Sequence, residues 1–359
     1  MARSADARRG TAAAGLSSLA SVVFLLLAAS PLRAEDAGAK PPSPDASGRP
    51  DPCGGIDLVQ ALKMSDPPGF EKFENSARAI ANGQGLLWRI ESRAGKVSYL
   101  FGTMHSSEPA AKSFDDLVLR ALGRSSVVAT ELPGASTRRV AAELRRLVAN
   151  RSFRPQGAAL SGLPEDTRRE VERRVSVAGI PPAVADQLQP WYLALTVSRS
   201  NCAANPRAGT DTETADARIE RLALEQGSTL LGLESPVEQV DALASIPDDV
   251  ALRMLRDTAV KRLKPEDMES TITGLYSTRR IGYLLAMRGP AWAGVFDIDG
   301  YAEFISAFIT RRNLTMLQRA LPIFSGGRAF VAVGALHLPG DYGMVELIRR
   351  AGFTVTRIW

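Results

Sequence analysis

Lys96-Val97-Ser98-Tyr99-Leu100-Phe101 runs into Gly102-Thr103-Met104-His105, and this stretch decides the fold. Its first six residues read as a short buried strand. Gly102 then permits a sharp turn or a close backbone approach. His105 follows at the strand exit, where side chains on loops meet a site. The pattern returns near the C-terminus, where Ala329-Phe330-Val331-Ala332-Val333 leads into Gly334-Ala335-Leu336-His337. These are the only two histidines in 359 residues, and each closes a strand-Gly-x-x-His unit. Positions 105 and 337 are far apart in the chain, so any shared role has to be built by the fold.

Outward from this stretch, Leu86 to Glu91 alternates as a strand and Ser92-Arg93-Ala94-Gly95 is a turn, so Lys96 to Phe101 is the second arm of a hairpin. Phe114 to Leu122 has helical apolar spacing. Ser126 to Thr130 is a buried strand that ends in a carboxylate, Glu131. Helices are expected over 140–148, 165–177 and 183–200, the last opened by Pro181-Pro182. Asp216, Ile219 and Ala223 share one helical face that Gly227 terminates, and Thr229 to Leu233 is a strand running into Glu234. Long amphipathic helices are expected over 248–262, 265–285 and 301–321, the last carrying Arg311-Arg312-Asn313. After the His337 loop, helix 342–351 and strand 353–359 finish the chain, with Gly352 between them. Alternating strands and helices plus one hairpin predict an α+β fold, a mixed β-sheet covered by helices. The expected domain is 53–359, with a helical insertion about 136–205 in the middle of the chain.

The start of the chain reads differently. Arg3, Arg8 and Arg9 precede an apolar run from Leu19 to Ala29, and Leu32-Arg33-Ala34 offers a cleavage site. Residues 1–34 therefore read as a signal peptide of an exported, periplasmic or secreted protein. The run is short for a spanning helix, which needs about 20 apolar residues. The only membrane contact expected is through an uncleaved leader. Residues 35–52, rich in Pro, Ala, Asp and Ser, read as a disordered linker. The two cysteines, Cys53 and Cys202, both lie in the exported part, where two thiols often pair. The alternatives are two free thiols, or Cys53 as a lipid-attachment site, against which stands its distance from the leader.

Of 44 basic and 39 acidic residues, the leader takes four arginines and one aspartate, leaving 40 against 38. No basic block with interleaved aromatics is present, so nucleic acid is not an expected partner.

Two neutral imidazoles with one or two carboxylates are a common set for a borderline divalent metal such as zinc. With open positions such an ion activates water and polarises a carbonyl. The chain has no His-Glu-x-x-His, no Gly-x-Ser-x-Gly and no phosphate-binding glycine loop. Metal-assisted hydrolysis is therefore the simplest enzymatic class.

Tyr99 to His105 and Val333-Gly334-Ala335-Leu336-His337-Leu338-Pro339-Gly340 resemble the first and last signatures of the TraB/GumN family, which includes PrgY and the animal Tiki proteases. The resemblance runs from about Cys53 to Trp359. Glu131 matches the family's acidic residue, Glu234 its Leu-Glu block, and Arg312-Asn313 its Arg-Asn pair. Thr214-Ala215 depart from the Gly and aliphatic residue usual before Asp216. The resemblance implies a metal-dependent peptidase holding Mn or Co, so the ion expected is Mn, Co or Zn. His105, Glu131 and His337 would be its ligands, Arg312 an oxyanion or substrate-carboxylate contact, and a peptide or protein the substrate. It equally allows a non-catalytic protein that sequesters a peptide or acts in polysaccharide export. The sequence leaves oligomeric state open.

Overall fold

The computed structural model describes residues 55–104, 114–154, 156–157, 159–198, 213–260, 264–289, 291–292 and 298–359. The expected leader and linker, Cys53, Cys202 and His105 lie outside the described residues. Six strands form one mixed sheet: β1 Leu87–Glu91, β2 Val97–Thr103, β3 Val127–Thr130, β4 Thr229–Gly232, β5 Ala329–Gly334 and β6 Thr354–Arg357. Their order is β4-β3-β5-β2-β1-β6. β1 runs antiparallel to β2 and β6. β2, β5, β3 and β4 are mutually parallel. The expected hairpin is present, with Leu87 opposite Phe101 and Gly95 at φ 73° in its turn.

The helices begin with α1 Leu58–Ser65, α2 Pro67–Arg78, α3 Asp116–Gly123, α4 Arg138–Ser152, α5 Glu165–Val177 and α6 Pro190–Val197. They continue with α7 Ala215–Glu225, α8 Pro236–Ala244, α9 Asp248–Val260, α10 Pro265–Ser277, α11 Arg311–Gly326 and α12 Met344–Arg350. Several starts are set by side-chain caps. Asp57, Asp66, Thr137, Thr214 and Ser235 each accept a hydrogen bond from a first-turn amide, satisfying donors that the helix itself leaves open.

β5 is central and apolar on both faces, which suits a parallel strand covered on both sides. Its alternate residues split between two cores. Phe330 and Ala332 join Phe101, Val128, Phe73, Val118 and Ile219 on one face. Val331 and Val333 join Leu100, Ala129, Met316, Phe324 and Ile348 on the other, under α11 and α12. Burying each large side chain contributes about 1.5–3 kcal/mol. The helices α4, α5 and α6 form a third core, shared with α8, α9 and Ala307-Phe308-Ile309. The helical insertion thus leans on later parts of the chain rather than closing on itself.

Two expected helices are interrupted. The 183–200 helix is a single turn, Pro182–Ala185, followed by α6, because Pro190 has no N–H to donate and sits at the first position of a new helix. The 265–285 helix ends at Ser277. Arg279 takes φ 61°, and a 3₁₀ segment, Ile281–Ala286, follows. No helix among the described residues is long and apolar enough to cross a membrane.

A candidate active site at the carboxyl ends of the parallel strands

Parallel strands aim their exits at one edge of the sheet, where ligand sites of open α/β sheets form. Here β2 delivers Thr103 and Met104, β3 Glu131, β4 Glu234, and β5 the turn Gly334–His337. α11 contributes Arg312 and Asn313, both buried, while Arg311 beside them is exposed. A π-helical turn, Ser306–Thr310, leads directly into α11. Such wide turns recur at functional positions because they reset which residues face inward.

Arg312 holds the two strand-end carboxylates together. Its Nη2 lies 2.6 Å from Glu131 Oε2 and 2.5 Å from Glu234 Oε2. Its Nε donates to Glu234 Oε1 at 2.9 Å and lies 3.2 Å from Oε2. Nη1 faces the Phe308 carbonyl at 3.4 Å. Most of the guanidinium fork is therefore spent on the protein itself. Glu131 Oε1 accepts the Gly334 amide at 2.6 Å and stands 3.6 Å from His337 Nε2. On its other side His337 Nδ1 lies 2.6 Å from Asn313 Oδ1. Gln239 Nε2 reaches Glu234 Oε2 at 3.3 Å.

Two carboxylates share one guanidinium, and all three side chains are buried. Burial raises the Glu234 pKa, against the pull of Arg312. Burial also works against the charge on Arg312, but Glu131 and Glu234 outweigh it, and the Arg312 pKa is raised.

A cleft of about 280 Å³ opens beside the cluster. Glu131, Arg312, Gly334 and His337 share its wall with Met268, Ile272, Leu284, Phe304 and Phe308. A mostly apolar pocket with a few convergent polar groups is the usual form of a ligand site.

Of the residues marked in sequence, Glu131, Glu234, Arg312, Asn313, Gly334 and His337 come together. Gly102 is adjacent: a Cβ there would sit 2.6 Å from Leu338 Cδ1 and 3.0 Å from Ala335 Cα, so β2 and the His337 turn touch through the missing side chain. Its carbonyl accepts the Tyr276 hydroxyl at 3.0 Å. His105 falls outside the described residues, so its approach to His337 does too.

Asp216 also finds a place. Thr103, at the end of β2, donates to its Oδ1 at 2.9 Å. One turn later Glu220 accepts Thr130, at the end of β3, at 2.9 Å, and the Gly134 amide at 2.9 Å. Helix α7 is thereby bolted to the two strands that lead into His105 and Glu131. Glu220 was missed in sequence. Its signal was a carboxylate at i+4 from Asp216, on the same stripe as Ile219 and Ala223.

The family model for the TraB/PrgY/gumN family matches residues 86–357. The chain belongs to that family. The match takes in all six strands, from the hairpin to β6. No curated protein and no solved structure is matched by the chain. In this TraB/PrgY/gumN protein the strand-end carboxylates and His337 are thus parts of one family fold.

Proposed function

We propose that the protein is an exported metal-dependent hydrolase, a peptidase, working at the Glu131–His337 edge. The observation that carries this reading is the facing of His337 Nε2 and Glu131 Oε1 at 3.6 Å, beside the buried Glu131–Arg312–Glu234 cluster. Two donors of one ion, each bonded at about 2.0–2.2 Å, stand at separations up to roughly 4 Å. An imidazole and a carboxylate suit Mn, Co or Zn. His337 and Glu131 would hold the ion, with His105 as the third ligand expected from its matching Gly-x-x-His unit. When bound, such an ion polarises a carbonyl and lowers the pKa of water.

The chain's own groups do the positioning. Arg312 orients Glu131 and Glu234 and is the expected contact for an oxyanion or substrate carboxylate through Nη1. The Gly334 amide fixes the Glu131 oxygen nearest His337. The cleft wall of Met268, Ile272 and Phe308 takes an apolar side chain of the peptide.

A second reading, a non-catalytic protein that sequesters a peptide, draws on the same cleft, since capture needs the apolar wall and not the ion. A role in polysaccharide export finds less support, because that wall offers few partners for sugar hydroxyls. The test is metal analysis of the purified protein, titration with Mn, Co and Zn, and a peptide-library cleavage assay. Binding of one ion and cleavage, both lost in His337→Ala, is the expected result. Peptide binding without ion or cleavage would favour sequestration.

A further inference from the structure

Asn313 sits wholly buried at the start of α11, next to Arg312, and does something different from it. Its Nδ2 donates one hydrogen to the His337 carbonyl at 3.2 Å and the other to the Tyr342 carbonyl at 2.7 Å. Both donors of the amide are then used. Turning the amide over would press its oxygen against two carbonyl oxygens, so the orientation is determined by the partners. Oδ1, which can only accept, therefore faces His337 Nδ1 at 2.6 Å. A contact this short between an acceptor and a ring nitrogen requires the hydrogen to be on the ring.

We infer that Asn313 is a positioning residue that locks His337 in the tautomer protonated on Nδ1, so that Nε2 is the nitrogen turned to the Glu131 side. The backbone supports the lock. The two carbonyls held by Nδ2 bracket Leu338-Pro339-Gly340-Asp341, so one amide closes the turn and sets the ring at its base. The Gly340 amide is tied in turn to the Ala81 carbonyl at 2.7 Å, which keeps the turn from sliding along α11. A histidine whose second nitrogen is held this way is one whose first nitrogen is reserved for a ligand or a proton. A leucine at 313 would fill the space and leave that choice open. The inference deepens the hydrolase reading but stands on the resting protein's geometry, and its test needs no substrate.

The test is 15N–1H correlation spectroscopy of imidazoles in the full chain labelled with 15N-histidine, at about pH 8, above ordinary imidazole titration. With two histidines in the chain, a His105→Gln variant assigns the His337 signals. The expected result is a pyrrole-type Nδ1 with an exchange-protected proton and a pyridine-type Nε2. In Asn313→Ala the protected proton is lost and the two shifts move toward averaging or exchange places. A wild-type ring protonated on Nε2, or on both nitrogens, overturns the inference without reference to any variant. The wild-type pattern persisting in a folded Asn313→Ala protein overturns it as well. The tautomer found in a protein that cleaves no peptide would count against the hydrolase reading alone.

Discussion

Arg312 meets Glu234 side by side, with Nε 2.9 Å from Oε1 and Nη2 2.5 Å from Oε2, and both side chains sealed from solvent. The same Nη2 also reaches Glu131. A buried charge of this kind is weak evidence of net stabilisation, because desolvation offsets attraction. Removing one partner is another matter, since it leaves the others uncompensated.

Arg312→Met is therefore expected to destabilise the protein by about 3–5 kcal/mol. Adding Glu131→Gln and Glu234→Gln to that variant should recover much of the loss, because no buried charge then remains. Denaturant midpoints of the single and triple variants check this. An additive triple variant would show that the three residues are not one unit.

The pH dependence of stability should carry two opposite signatures. Burial pushes the Glu220 carboxyl above its ordinary 4.5, against the Gly134 amide and the Thr130 hydroxyl. Its contribution to stability is thus fully present below 4.5 and is lost as pH rises through the folded value. Glu238 is the reverse, held down to about 2 by its hydrogen bond with Arg319. That contribution is present above 4.5 and is lost as pH falls toward about 2. Unfolding free energies of wild type, Glu220→Gln and Glu238→Gln across pH should separate the two. The wild-type advantage over Glu220→Gln should shrink on raising the pH, and that over Glu238→Gln on lowering it.

Gly102→Ala should cost about 1–3 kcal/mol, the usual penalty of overpacking. The added Cβ meets Ala335 Cα at 3.0 Å, a backbone atom that cannot swing aside as Leu338 Cδ1 can. The turn that carries His337 must shift, so the His337 imidazole signals should move as well. A stable variant with unmoved signals would contradict the close approach.

Met268→Trp tests the cleft. Filling that wall should lower kcat/KM at least tenfold for peptides with a large apolar side chain, a loss of about 1.4 kcal/mol. Peptides with alanine at that position should be affected less, and metal uptake not at all. Equal loss for both peptides would place the substrate elsewhere.

The sheet and part of the site could be read from the chain alone, for physical reasons. β5 is a fully buried parallel strand and so appears as an unbroken apolar run. Glu131 and Glu234 stand out because a carboxylate ends an apolar strand. Arg311 and Arg312 could not be told apart by composition. They are neighbours on one helix, and only the π turn and the two distant carboxylates decide that Arg312 turns inward. Glu220 escaped because its hydroxyl partner Thr130 lies on β3, far away in sequence, about which the periodicity of α7 carries no information. The break at Pro190 was missed although its signal was in the chain: the residue has no N–H to donate and opens a new helix. Pro322, inside α11, shows that a proline alone does not decide such a break.

The position of β5 between β3 and β2 has a consequence for how the molecule comes into being. Until Ala329–Gly334 is inserted, β1–β2 and β3–β4 are separate pairs, each with an open inner edge. Such edges invite pairing with other chains. Contacts this distant in sequence also close slowly. Until residue 329 is made, the edge where Glu131 and His337 meet cannot assemble, and a product cut short there should be prone to aggregation.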